Sequence, residues 1–334
     1  MIESLEIGSF INEQLIPKVY KPITFLFDPS KRIYWGYLLT SLLFAIIFLV
    51  YGRRKDWVSY LRQNLFSTHI WLHPSSLLDI KPMVTKSLVK SFLFAPWLLS
   101  SYGLAIAVVR SANAIFGVAP TSSLSPLSIT IIYTACLFVL SDFSRYLLHR
   151  LCHRVSFLWQ FHQVHHSAEI MSPLTLYRSH PLEHLLFSIR SIVVTGLTTG
   201  VFFYLYKNQA IQYQLIGVNI FGLFFNMLGA NLRHSHIWIS YGPIIEKIFI
   251  SPAQHQIHHS NHPTHHNKNY GSCLAIWDWL AGSLYLASKQ SAIQFGLSKS
   301  ESNHNPSSLA SSIIGPFIAC WKKAQFYLSK RIDT

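Results

Sequence analysis

The chain is poor in charge. Only 12% of its 334 residues are Asp, Glu, Lys or Arg, whereas 50% are hydrophobic. So little charge, spread between long apolar runs, argues against a large soluble domain and predicts a multi-pass membrane protein. Acids are scarcest, 13 against 27 Lys and Arg, for a net charge of +14. No basic stretch is interleaved with a nucleic-acid module. The bases flank apolar runs, where the positive-inside rule accounts for them, so no nucleic-acid partner is expected.

Other absences narrow the field. Cys136, Cys152, Cys273 and Cys320 show no paired spacing, so no disulfide framework is expected. Cys152 reads as a small packing residue. The opening MIESLEIGSF lacks the basic start and immediate apolar run of a signal peptide. There is no nucleotide-binding G-x-G-x-x-G and no haem-attaching C-x-x-C-H. The His-Pro dipeptides at 73, 180 and 262 lack the glycines of a cytochrome b5-like haem site. Redox chemistry here would need electrons from outside the chain.

Five apolar stretches are present, at 34–50, about 88–109 (interrupted by Pro96), 127–147, 184–206 and 211–232. Each is long enough to be read as a membrane span. Arg53, Arg54, Lys55, Arg62, Lys81, Lys86 and Lys90 place the 51–87 connection in the cytoplasm. Counting spans forward then delivers residues 149–183 and everything after 234 to that same face.

What the chain has in abundance is histidine. Fifteen of its eighteen histidines lie between 149 and 266, and five fall within 149–166, HRLCHRVSFLWQFHQVHH. Residues three and four apart share a helix face, so His149 with His153, and His162 with His165 and His166, can converge. The neighbours His165 and His166 diverge by roughly 100° around a helix and can serve different ions. HQVHHS at 162–167 returns as HQIHHS at 255–260. Between 149 and 266 the acids are Glu169, Glu183 and Glu246, so a metal site would be almost wholly imidazole. Imidazole alone suits zinc, copper, iron or nickel, and so many ligands favour two ions. Asp142, two helical turns before His149, is read either as a carboxylate orienting that ring or as a helix-end charge at the membrane interface.

HRLCH at 149–153, HQVHH at 162–166, RSHPLEH at 178–184 and HQIHH at 255–259 resemble the boxes of the fatty acid hydroxylase/sterol desaturase superfamily. NYG at 269–271 and WD at 277–278 extend the likeness, which covers roughly 135–290. It departs at Ala281, where relatives carry Phe. The resemblance implies an all-α integral membrane protein of about four to five transmembrane helices. A cytoplasmic helical cap would carry a histidine-rich di-metal site. The implied cofactor is two non-haem iron ions, held by His149, His153, His162, His165, His166, His180, His234, His255, His258 and His259. Asp142 matches an acidic position ahead of the first box. His184, His236, His262, His265 and His266 fall outside the pattern and are read as residues behind the ligands or on the surface, and His69 and His73 as surface residues that bind no metal.

The implied activity is O2-dependent hydroxylation or desaturation of a lipid C–H bond, with electrons from a cytochrome b5-like protein or a ferredoxin and its reductase. The active site would face the cytoplasm, in a bacterial inner membrane or the endoplasmic reticulum. On this reading residues 1–120 carry the first spans, 121–290 the catalytic domain and 291–334 a C-terminal tail. The rival readings are an inactive relative with a structural or regulatory metal site, and a non-enzymatic metal or electron carrier. A carrier would need ligands inside the spans, which contain almost none.

Overall fold

The computed structural model describes residues 16–332 apart from 53, 90–99, 208–213, 216–217, 288–292 and 299–305. Its first helices are Ile16–Thr24 (α1), Trp35–Tyr51 (α2), Trp57–Asn64 (α3), Thr68–Trp71 (α4) and Pro74–Val89 (α5). Ser101–Phe116 (α6), Pro126–Arg154 (α7), Ser156–His166 (α8) and Pro181–Tyr206 (α9) follow. Then come Ile220–Met227 (α10), Gly242–Ile245 (α11), Pro252–His258 (α12), Ile276–Leu280 (α13) and Leu309–Ile332 (α14). The fold is helical; its one sheet among the described residues pairs Gln214–Leu215 (β1) with Val218–Asn219 (β2), antiparallel.

Two described helices, α7 and α9, are long and apolar enough to cross a membrane. At 29 and 26 residues they run to about 43 and 39 Å, against about 30 Å of hydrocarbon. Their apolar side chains point outward. Ile189, Val193, Leu197, Val201 and Leu205 form an exposed stripe at every fourth residue of α9. Water would disfavour such a stripe and lipid accepts it, so this is the surface of a membrane protein. On its inner face α9 carries Gly196 and Gly200. A Cβ at Gly200 would lie 2.6 Å from the Val108 side chain, and one at Gly196 2.8 Å from Leu104. The two glycines let α6 and α9 approach backbone to backbone.

The other expected spans fare differently. The 34–50 run is α2, 17 residues long. Residues 90–99 of the second run lie outside the described residues, and the remainder is in α6. The run at 211–232, read as a fifth span, is not one helix. Its described parts are the β1–β2 pair, the eight-residue α10 and a 3₁₀ turn, Ala230–His234. Asn219 starts α10 by accepting the Phe221 N–H, and Gly229, at φ +81°, turns the chain left-handed after it. A side chain at Gly229 would also strike the Phe44 ring. Polar and glycine residues thus cut the apolar run and swing His234 inward.

The three His-Pro dipeptides share one structural use. His73 Nδ1 accepts the Ser75 N–H, His180 Nδ1 that of Leu182, and His262 Nδ1 that of Thr264. Each proline then occupies the first turn, where it forfeits no bond.

A buried ion pair ties α5 to the site. Arg178 bonds Asp79 and the Ser75 carbonyl, and Thr175 also donates to Asp79. The segment after 306 is more than a tail. Its helix α14 packs on α8, with the Phe317 ring edge-on to Phe161 at 5.2 Å and Lys323 bonded to Ser156.

Candidate metal centre

Four chain segments meet in one cup. The C-terminal end of α7 supplies His149 and His153 on one face. Val155, in extended conformation, breaks the helix there. The chain reverses into α8, whose rings pack back, His149 on His162 at 4.9 Å and His153 on His166 at 4.8 Å. The 3₁₀ turn brings His234, and α12 brings His255, His258 and the C-cap His259. A helix as short as α12 is marginal alone. Ser251 and Gln254 bond each other reciprocally at its start, and Ser251 also donates to buried Glu246.

These rings form two groups whose ligand atoms lie within 4.8 Å of one another. One is His149, His153, His162, His166 and His258; the other is His165, His234, His255 and His259. His165 and His166 are split between the groups, as their divergence around α8 predicts. His180 is not brought in. Its Nδ1 caps α9 and its Nε2 faces the Ile313 carbonyl at 3.0 Å, so both nitrogens are used in holding helix ends.

Hydrogen bonds on the outer nitrogens decide what the inner ones can do. His149 Nδ1 lies 2.7 Å from the Tyr270 carbonyl, His165 Nδ1 3.0 Å from that of Arg178, and His258 Nδ1 2.8 Å from that of Lys268. A carbonyl only accepts, so each Nδ1 carries the proton and each Nε2 is a bare lone pair. His162 Nδ1 faces a Glu183 carboxylate oxygen at 3.1 Å, with the same consequence. Yet His149 Nε2 and His162 Nε2 lie 3.1 Å apart, as do His234 Nε2 and His255 Nε2. The Nε2 atoms of His153, His166, His258 and His259 are buried with no hydrogen-bond partner among the described residues. At His149 and His162, where both protons sit on Nδ1, two facing lone pairs with no proton between them are stable only around a cation. The donor set fits two metal ions.

Burial keeps the rings in ligand form. It pushes His162 down to about 3 and, aided by repulsion from His162, His165 to about 4. His234, His255, His258 and His259 are held well below the ordinary imidazole value for the same first reason. All are neutral near pH 7, the state a metal binds.

Asp142 does not touch His149. It accepts the N–H groups of Cys273 and Leu274 and the indole N–H of Trp277, at 2.9–3.0 Å. Asp278 accepts those of Tyr270 and Gly271. Between them the two carboxylates clamp the loop whose Tyr270 carbonyl orients His149. Asp142 therefore acts on the ring through the loop. The partners that the sequence did not single out are Glu183 and the carbonyls of Arg178, Lys268 and Tyr270. His69 and His73 pair with each other at 5.7 Å, apart from the two groups. His236 accepts the Met171 N–H, the His262 and His265 rings meet at a tilt 5.2 Å apart, and His266 lines a cavity.

Two cavities reach the rings and have no histidine ligand in common. One of about 150 Å³ touches His153, His166, His258 and His259. A larger one of about 570 Å³ touches His149, His162, His165, His234 and His255. Each cavity reaches both groups.

A helical membrane protein with two buried polyhistidine groups at the ends of its spans defines the class, and comparison with known proteins agrees. Residues 134–283, a little under half of the chain, match the fatty acid hydroxylase family. It is 30% identical over 158 residues to an alkylglycerol monooxygenase of Danio rerio, covering 47% of this chain and 31% of that protein. It is 29% identical over 163 residues to an ornithine lipid hydroxylase of Rhizobium tropici, 48% of this chain and 44% of that one. A Delta(7)-sterol 5(6)-desaturase of Aspergillus fumigatus is 28% identical over 283 residues, 80% and 71% respectively. The chain thus spans less than half the length of the first two relatives. No solved structure matches it.

Proposed function

We propose that the chain is a membrane-bound non-haem di-iron oxidoreductase that hydroxylates or desaturates a lipid C–H bond with O2. The convergence of bare imidazole nitrogens into two groups carries this reading. His149, His153, His162, His166 and His258 would hold one iron, and His165, His234, His255 and His259 the other. Bound iron supplies the O2 activation that no acid–base side chain can. The chain's own residues fix each ring's tautomer through the carbonyls of Arg178, Lys268 and Tyr270 and through Glu183. The larger cavity offers substrate a place against both groups. In hydroxylation a C–H becomes C–OH and the second oxygen atom leaves as water. The electron pair and two protons come from outside, from a cytochrome b5-like protein or a ferredoxin with its reductase.

The relatives act, by name, on alkylglycerols, ornithine lipids and a sterol, which supports a lipid substrate. We assign catalysis to residues 121–290, with α7 and α9 crossing the bilayer. α2 and the 88–116 region would supply the remaining spans. The cup would lie on the cytoplasmic face. Lipid mass spectrometry tests the function. Iron-loaded protein with reductase and carrier should convert a lipid by gain of one oxygen or loss of two hydrogens. Sustained product from the chain and NAD(P)H alone, or no product with any donor, would contradict it.

A further inference from the structure

The larger cavity is unusual for its charge. Besides the five ligand histidines and His184 it is lined by Arg32, Lys86, Arg145, Arg190 and Arg233, against a single carboxylate, Glu183, already bonded to His162. None of these five cations belongs to an ion pair among the described residues. Arg190 donates to the Ser141 carbonyl and Ser144 hydroxyl, and Arg233 to the carbonyls of Ala230 and Ser272. Lys86 donates to Ser179. These bonds hold the side chains; Glu183 and Asp79 act on Lys86 from a distance, and Asp142 on Arg190 and Arg233, but no carboxylate pairs with any of the five among the described residues. The Nε atoms of Arg32 and Arg190 are buried with no hydrogen-bond partner among the described residues. Burial, with repulsion from Arg233 and Arg145, pushes Arg32 down to about 9.

Cations placed by the positive-inside rule reach outward to water or phosphate headgroups. These five instead converge on a chamber between α7 and α9, at the helix ends where the histidines sit. Five cations against one carboxylate at that depth are rare and mark a ligand site. Next to Arg233, whose guanidinium lies 5.0 Å from the Phe225 ring, opens an apolar groove of about 400 Å³ lined by Phe44, Phe138, Phe221, Phe224 and Phe225. Charge on one side and aromatic rings on the other suit an amphiphile.

We propose that this chamber binds the anionic headgroup, phosphate or carboxylate, of the lipid to be oxidised. The inference rests on the lipid-oxidase reading and sharpens it. Because the same cavity is walled by histidines of both groups, the oxidised carbon lies within a few atoms of the headgroup, not far along a chain. Guanidinium forks match the paired oxygens of either anion.

The test uses iron-loaded full-length protein in an uncharged detergent and two probes differing by one phosphate, dioctanoyl phosphatidate and dioctanoylglycerol. Phosphatidate should bind at least about tenfold more tightly, the effect of one strong charged contact. Arg145→Gln and Arg233→Gln should each erase most of that preference while iron per chain stays at the wild-type level. Arg145→Lys, which keeps the charge, should retain it. Equal wild-type affinity for the two probes overturns the proposal, whatever the variants do. Inorganic phosphate binding as tightly as phosphatidate assigns a free anion and overturns the headgroup. Oxidation of a neutral lipid without anion preference would sink this inference alone. Retained phosphatidate preference with no oxidation of any lipid would sink the oxidase reading and leave the chamber standing.

Discussion

The histidine cup and the membrane helices are built on opposite principles. Gln160, Gln163, Gln254, Asn269, Glu246 and Asp278 are wholly buried in and around the cup. They are tied by specific bonds, such as Asn269 to the Gln254 and Tyr285 carbonyls and Glu246 to Ser240, Ser251 and Ala287. The outer faces of α7 and α9 carry apolar side chains that touch little protein. A buried polar network tolerates no missing member, because the partner left behind is desolvated and unpaired. A lipid-facing stripe has no single partner to lose. Sensitivity to substitution should therefore fall steeply from cup to stripe.

The largest effect belongs to the ligands. His165→Ala and His258→Ala, one from each group, should each abolish product and lower bound iron, since the remaining rings cannot close the geometry. His69→Ala should leave both near wild type. Next comes the clamp. Asp142→Asn keeps the shape but weakens the hold on residues 273–277, and with it the Tyr270 carbonyl on His149. A loss of about 10–100-fold in iron affinity or activity is expected, typical of a partner one bond removed from a ligand. An Asp142→Asn protein with normal iron affinity and turnover would show that the loop holds itself.

Much of the cup was legible in the sequence, because helical spacing turns i, i+3 and i+4 histidines into a shared face. The likeness to a known family added His234, which no spacing rule supplies. His180 was misleading. It stands in a box, but the proline after it marks a helix start, and capping consumed its nitrogens. The same punctuation at 73 and 262 carried that signal. The 211–232 run looked like a span by hydropathy alone, while Asn219 and Gly229 were the breakers that cut it. Glu183 and the three carbonyls could not have been foreseen as tautomer-setting partners. They meet the rings only after 3₁₀ turns and loops fold, and every residue has a carbonyl. Of the chamber cations only Lys86 enters the topology reading; a sequence shows that Arg32, Arg145, Arg190 and Arg233 are basic and not that they line one cavity.

Smaller effects separate the regions further. Ser251→Ala removes the cap of α12 and its bond to Glu246, and should lower stability by about 1 kcal/mol, read as a drop in melting temperature. Leu197→Ala, on the exposed face of α9, should stay within about 0.5 kcal/mol of wild type and leave iron unchanged. A larger loss at Leu197 than at Ser251 would invert the comparison and place a protein partner, not lipid, on that stripe.

The most direct test of the account is the iron content of the purified full chain by elemental analysis, alongside the His165→Ala and His258→Ala proteins. The two-group geometry predicts two irons per wild-type chain and a marked loss in each variant. One iron per chain, or near-normal iron in both variants, would contradict it.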